Sequence, residues 1–208
     1  MPQAYKTVAS YGCDEFIINK SRFIGHAKPV KSQEEALEFL SEMRQKYKDA
    51  SHNCFAYIIG QNAGIQRYSD DGEPSGTAGL PIIEVVKNQN VVDVCVVVTR
   101  YFGGILLGAS GLVRAYTQGA VTGLKAAGVV TMHPTQRYLF DVDYPLLGSL
   151  DHWLASQPVR VEAKEFSACV TFTLCVKTQD APALLNGLTQ ISQGRIEPML
   201  MEECYLGW

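Results

Sequence analysis

The sequence predicts an α+β protein of two domains, and three features carry that expectation. Residues 91–99 form a nearly unbroken β-branched run that leads through RYFGGILLGASG into an alanine-rich stretch of helical period, so a buried strand is followed by a tight turn and a buried helix. From residue 137 onward, strand-like and helix-like periodicities follow in the order βαββαβ, that of a ferredoxin-like sandwich with both helices on one face of an antiparallel sheet. Between the two parts, around Thr131 to Pro134, the pattern breaks, and this linker divides the chain into domains 1–133 and 134–208.

The first domain opens with short alternating strands near residues 6–10 and 15–18, followed by a third over residues 22–30. Ser32 and Glu35 form a capping box, and Ala36, Leu37, Leu40, Met43 and Tyr47 recur at helical spacing, which predicts a helix over residues 33–48. Residues 52–60 alternate as a strand, with Cys54, Ala56 and Ile58 on one face. Next comes SDDGEPSGTAGLP, residues 69–81, with three acids and three glycines. Pro81 stands where a helix can begin, and Ile82, Ile83, Val85 and Val86 continue it, with a strand as the alternative. The run at residues 91–99 is expected to be a central strand buried on both faces. Leu112, Val113, Tyr116, Val121 and Leu124 then suit a largely buried helix closed by Gly128.

In the second domain the expected elements are a strand over 137–144, a helix over 146–156, strands over 159–166 and 168–176, a helix over 181–192 and a strand over 195–202. Parity decides what its sheet can bind. Val170, Phe172, Leu174 and Val176 share one face, opposite Cys169, Thr171, Thr173 and Cys175; Tyr138, Phe140, Val142 and Tyr144 lie opposite Asp141 and Asp143. Aromatic side chains therefore point into the core and acids point out, so the open face lacks the stacking platform with which such folds bind RNA.

Composition narrows the function classes. A net charge of −3 argues against a protein that coats nucleic acid through bulk positive charge. Residues 1–133 hold 13 Lys and Arg against 12 Asp and Glu, and the remainder 5 against 9, so a polyanion site is local and belongs to the first domain. The six cysteines show no CxxC spacing, which favours reduced thiols over a zinc ribbon or a disulfide framework. The N-terminal MPQAYKTVAS has no signal-peptide core, and the longest apolar run, VVDVCVVVT, is too short for a bilayer and contains Asp93. The expectation is a cytoplasmic protein without membrane contact, with a monomer as the favoured state.

Strand, glycine turn and helix together suit an anion, because free amides and the positive end of the helix dipole both favour negative charge. GGILLGAS has the spacing of a phosphate loop through Gly103 and Gly108, but Ala109 stands where a lysine would reach the outer phosphates. That argues against nucleotide hydrolysis and leaves an amide-lined anion site flanked by Arg100 and Arg114. The same glycines equally allow the strand to turn tightly against the helix. Asp70, Asp71 and Glu73 offer oxygens to a hard cation, yet an Asp-Gly turn followed by a Pro-fixed bend explains them better. His52 and Cys54 project the same way along a strand and read as a hydrogen-bonded histidine and a core cysteine. No catalytic triad or nucleophilic cysteine setting is present, so no catalytic residue, metal or cofactor is assigned. Lys20, Arg22, Lys28 and Lys31 gather positive charge near the third strand, as solvated edges also do.

Taken together, KSRFIGHAKPV, SDDGEPSGTAGLP and VVVTRYFGGILLGASGLVRAY resemble the IMPACT family, and the whole chain resembles its bacterial YigZ-type members. The resemblance implies a first domain with the fold shared by the second domain of a ribosomal small-subunit protein and by domain IV of elongation factor G, and a second domain similar to domain V of that factor. It also implies a link to translation control, with nucleic-acid binding inferred from fold likeness. Eukaryotic members carry an additional N-terminal module that engages a starvation-response kinase pathway; this chain starts at the IMPACT-type domain, so that partner is not carried over. On this basis Lys20, Ser21 and Arg22, the turn residues Asp70, Asp71, Glu73 and Thr77, and the stretch containing Arg100, Tyr101, Gly103, Gly104, Gly108 and Arg114 are expected to converge on a mixed acidic and basic groove. The expected function is that of a non-catalytic protein of translation regulation binding RNA or the ribosome there. The alternative is a small-molecule or phosphometabolite enzyme using Asp70, Asp71 and Glu73 with the glycine-rich loop.

Overall fold

The computed structural model describes residues 3–208, which divide into one unit of Tyr5–Thr131 and another of Met132–Trp208 with residues 3–4. The first unit runs β1 (Tyr5–Val8), β2 (Gly12–Ile18), β3 (Ser21–Pro29), α1 (Gln33–Lys46), β4 (His52–Ile59), β5 (Ile65–Ser69), α2 (Gly79–Asn88), β6 (Val94–Tyr101) and α3 (Gly108–Ala127). Its main sheet has the order β2-β3-β6-β4-β5, with every neighbouring pair antiparallel.

The β-branched run does what its composition demands. Val94, Val96 and Val98 pack with residues of α2 and α3, while Cys95 and Val97 pack with Phe39, Leu40 and Met43 of α1. β6 is thus enclosed on both faces and flanked by a strand on each side. In α1, Ser32 Oγ accepts from Glu35 N at 3.2 Å and Glu35 Oε2 accepts from Lys31 N at 2.8 Å. The buried stripe of α1 includes Phe39, and Leu37, expected inside, is exposed because the sheet covers only one side of the helix. Sequence periodicity missed β5, a short edge strand with exposed Ile65 and Tyr68 and no buried face to impose alternation.

Helix α3 lies unusually close to the sheet because glycines meet on both sides. A Cβ on Gly25 of β3 would stand 2.0 Å from the carbonyl oxygen of Gly119, and one on Gly123 would stand 2.9 Å from the backbone nitrogen of His26. Next to this contact, His26 is fully buried, with Nδ1 3.2 Å from the Tyr11 hydroxyl and Nε2 without a partner among the described residues. Burial, reinforced by the nearby charge of Lys46, lowers its pKa from 6.5 to about 4.

The second unit contains most of β7 (Val129–Val142) and then α4 (Tyr144–Leu154), β8 (Val159–Phe166), β9 (Val170–Lys177), α5 (Ala181–Ser192) and β10 (Met199–Gly207). Its strands are ordered β10-β7-β9-β8, all antiparallel. Tyr138, Phe140, Phe172 and Leu174 face Leu150, Leu154, Leu184 and Leu188 of the helices, and the rings of Phe140 and Phe172 stack at 5.5 Å. On the other side of the sheet, Arg137 is held between Glu162 and Glu202, and Thr171 donates to Asp141. Two expectations are corrected. Residues 131–134 are not an irregular linker but lie inside β7, where Pro134 pairs with Tyr205 of the edge strand β10. The last strand is displaced to Met199–Gly207, because its end is anchored by Trp208, whose indole donates to Thr135 Oγ1 at 3.0 Å.

Two predictions follow from this packing. Gly25→Ala forces a methyl into the α3 backbone and lowers the unfolding free energy by about 3 kcal/mol in denaturant titration. The second concerns pH: the unfolded chain takes up a proton at His26 near pH 6.5, whereas the folded protein resists protonation to about pH 4. Stability is fully present above pH 6.5 and declines by up to about 3 kcal/mol as the pH falls toward 4. Comparison with His26→Gln over that window isolates the effect, since the variant lacks this part of the slope.

Candidate functional site

The acidic glycine segment is a turn whose carboxylates are each committed to the fold. Asp70 Oδ1 accepts from the backbone nitrogens of Ala78 and Gly79 at 3.0 and 2.8 Å, and Oδ2 from Gly76 at 2.9 Å. It therefore caps α2 from eight residues upstream, in place of a side chain at the helix start. Burial pushes its pKa up, but the three amides outweigh that and hold it below the ordinary carboxylate value. Asp71 bonds the backbone nitrogen of Asn53 at 2.6 Å and pairs with Arg44 at 3.5 Å. Asp71 and Gly72 both adopt positive φ, 45° and 88°, which folds the turn back on β4.

Glu73, the third acid, goes inward. Its Oε1 accepts from Arg100 Nη1 at 2.6 Å and from the Tyr116 hydroxyl at 2.7 Å, and lies 3.9 Å from His52 Nε2. Its side chain is 3% exposed and that of Arg100 is 6% exposed, so the pair is shielded from water. The Arg100 guanidinium also sits over the rings of Phe23 and Phe102, at 5.5 and 5.4 Å, while its buried Nε has no acceptor among the described residues. His52 is oriented by a 2.8 Å contact from Nδ1 to the carbonyl oxygen of Asp71. Cys54 donates its thiol to the Asp70 carbonyl oxygen at 3.0 Å, and burial raises its pKa well above the usual range, which leaves it a neutral core thiol rather than a nucleophile.

Beyond β6 the glycine loop closes over this network. Gly103 packs on the backbone of Lys20, where a Cβ would stand 2.0 Å from the Lys20 carbonyl carbon, and its nitrogen donates to Ser21 Oγ at 3.1 Å. Gly104 and Gly108 take positive φ, 82° and 70°, and turn the chain into α3. Between the loop and the acidic turn lies a cavity of about 490 Å³, walled by His52, Glu73 and Arg100 on its polar side and by Phe102, Leu106 and Leu112 among its apolar residues. Phe102 and Leu106 are exposed, the latter 85%.

Of the residues singled out in the sequence, Glu73, Arg100 and Gly108 line this cavity. Lys20 and Ser21 support the loop at Gly103. The remaining residues do not line it. Arg22 pairs with Glu15 at 2.6 Å and covers the Tyr101 ring, Tyr101 donates to Asp49, Thr77 donates to the Pro74 carbonyl oxygen, and Arg114 is exposed on α3. One expectation changes accordingly. Arg100 is not part of an available cationic set, because its charge is neutralised internally. Asp70, Asp71 and Glu73 are each held by a separate set of donors within the turn and its neighbours. Tyr116, Phe102 and Leu106 were missed as site residues. Tyr116 occupies an ordinary buried helix position, and an apolar residue in a loop carries no periodic signal.

This fold and motif set identify the class. The family model described as Impact N-terminal domain matches residues 19–124, and one described as Domain of unknown function (DUF1949) matches residues 140–195. The chain belongs to the IMPACT family. It is 40% identical over 206 residues to IMPACT family member YvyE of Bacillus subtilis (strain 168), covering 99% of this chain and 95% of that protein. It is 31% identical over 188 residues to IMPACT family member YigZ of Escherichia coli (strain K12), covering 89% and 92%. Protein IMPACT of Oryctolagus cuniculus matches at 37% over 94 residues, 43% of this chain and 29% of that protein. A solved structure titled "Crystal structure of an hypothetical protein" superposes with a TM-score of 0.61 at 28% identity, covering 97% of this chain and 99% of that one.

The buried pair has a measurable signature. Glu73→Leu leaves Arg100 charged and unpaired and costs about 3–5 kcal/mol, whereas Glu73→Leu combined with Arg100→Leu recovers most of that loss. Chemical denaturation of the two single variants and the double variant completes the cycle.

Proposed function

We propose that this protein is a non-catalytic binding protein of translation regulation in the cytoplasm, and that it holds RNA, free or in the ribosome, at the cavity beside β6. One observation supports the reading above the others. Exposed Phe102 and Leu106 stand at a cavity whose floor is the buried Glu73–Arg100 pair. Apolar and aromatic surface takes the face of an unstacked base, and fixed donors and acceptors meet its edge, which is how single-stranded RNA is recognised. The cavity falls within the size of small-ligand sites, roughly 300–1,000 Å³. Phosphate contacts fall to exposed cations, Lys20 at the hairpin tip beneath the glycine loop and Arg114 on α3. The link to translation comes with membership of the IMPACT family. Carboxylate-based chemistry is the weaker reading, because Asp70 and Asp71 spend their lone pairs on the α2 amides, Asn53 and Arg44.

Titration of ribosomes and short single-stranded RNAs at two salt concentrations tests this. Phe102→Ala with Leu106→Ser weakens binding by about tenfold or more at either salt. Lys20→Ala with Arg114→Ala weakens it and makes it less salt-dependent, lowering the slope of log affinity on log salt by about 2. Affinity that ignores salt and both pairs of substitutions rules the proposal out.

A further inference from the structure

We infer that the cavity recognises an exocyclic amino group, so that among the bases of an RNA it selects those that carry one over uracil; this rests on the RNA reading above. The carbonyl oxygen of Asp71, 2.8 Å from His52 Nδ1, can only accept a hydrogen bond, so Nδ1 carries the hydrogen. In the neutral ring Nε2 is then a bare acceptor, and it lies 3.9 Å from Glu73 Oε1 at the cavity wall. Neither of these atoms can donate to the other. Glu73 Oε1 also accepts from Arg100 Nη1 and the Tyr116 hydroxyl, which fix the carboxylate in place.

The cavity wall thus presents two acceptors 3.9 Å apart, a separation that one nitrogen bridges with hydrogen bonds of roughly 2.9 Å to each. An –NH₂ group carries two hydrogens and fits both sides; a carbonyl oxygen in the same place faces two acceptors and loses its own solvation. Adenine, cytosine and guanine each carry such an amino group. Uracil offers carbonyl oxygens in place of the amino group.

Short single-stranded RNAs that differ at one base test the inference on the full-length protein by fluorescence anisotropy. Guanosine against inosine is the sharpest pair, since inosine lacks only the amino group; cytidine against uridine is the second. The expected result is about tenfold tighter binding of the amino-bearing member of each pair, and loss of that ratio in His52→Phe. Equal binding of guanosine and inosine probes by the unaltered protein overturns the inference and leaves the RNA reading standing. A preference that survives in folded His52→Phe also overturns it, and binding of no probe overturns both. If His52→Phe does not fold by thermal melting, the comparison of probes on the unaltered protein decides alone.

Discussion

A carboxylate and a guanidinium with almost no access to water, Glu73 and Arg100, hold the acidic turn against the central strand. Either charge alone in that position costs several kcal/mol, so the turn has one arrangement in which both are satisfied, with Tyr116 of α3 donating the additional hydrogen bond. The turn has little hydrophobic anchorage of its own. Its place is set by polar contacts that run outward from this pair: Asp70 on the amides of α2, Asp71 on β4 and Arg44, and the Asp71 carbonyl on His52. The net stabilisation from such a pair is modest, because desolvation offsets the attraction. What it confers is position, and the cavity exists because the turn is held at a fixed distance from the glycine loop.

That arrangement depends on how closely α3 approaches the sheet. Gly25, Gly119 and Gly123 let helix and strands meet backbone to backbone, which carries Tyr116 down to Glu73 and sets the start of α3 at the rim of the cavity. The glycines after β6 divide the remaining work. Gly103 lets the loop touch the hairpin at Lys20, while Gly104 and Gly108 supply backbone angles that other residues adopt only with strain. The loop can then leave Phe102 and Leu106 exposed without drawing them into the core.

The two units offer different chemistry. The second sheet carries Arg137 between two glutamates, a threonine bonded to Asp141, and the Trp208 ring held by Thr135 against Arg160 and Lys177, polar and aromatic groups that satisfy one another. The first unit sets exposed Phe102 and Leu106 beside His52 and the buried Glu73–Arg100 pair at one cavity.

The sequence by itself determined the elements whose signal is local. Burial on both faces of β6 followed from its β-branched run, α1 from the Ser32 cap and its apolar spacing, and the βαββαβ order from alternating periods. It also marked the acidic turn and the glycine loop as places where the backbone does something unusual. Only the tertiary structure decided what the charges there do. Arg100 and Arg114 read alike in sequence, yet one is sealed against Glu73 and the other faces solvent; Asp70, Asp71 and Glu73 sit within four residues and serve three different partners. The reason is that hydrophobic periodicity repeats along the chain and can be read from neighbours, whereas an ion pair joins residues 27 apart and a tyrosine a further helix away. No spacing rule encodes such a meeting before β6, α2 and α3 have packed.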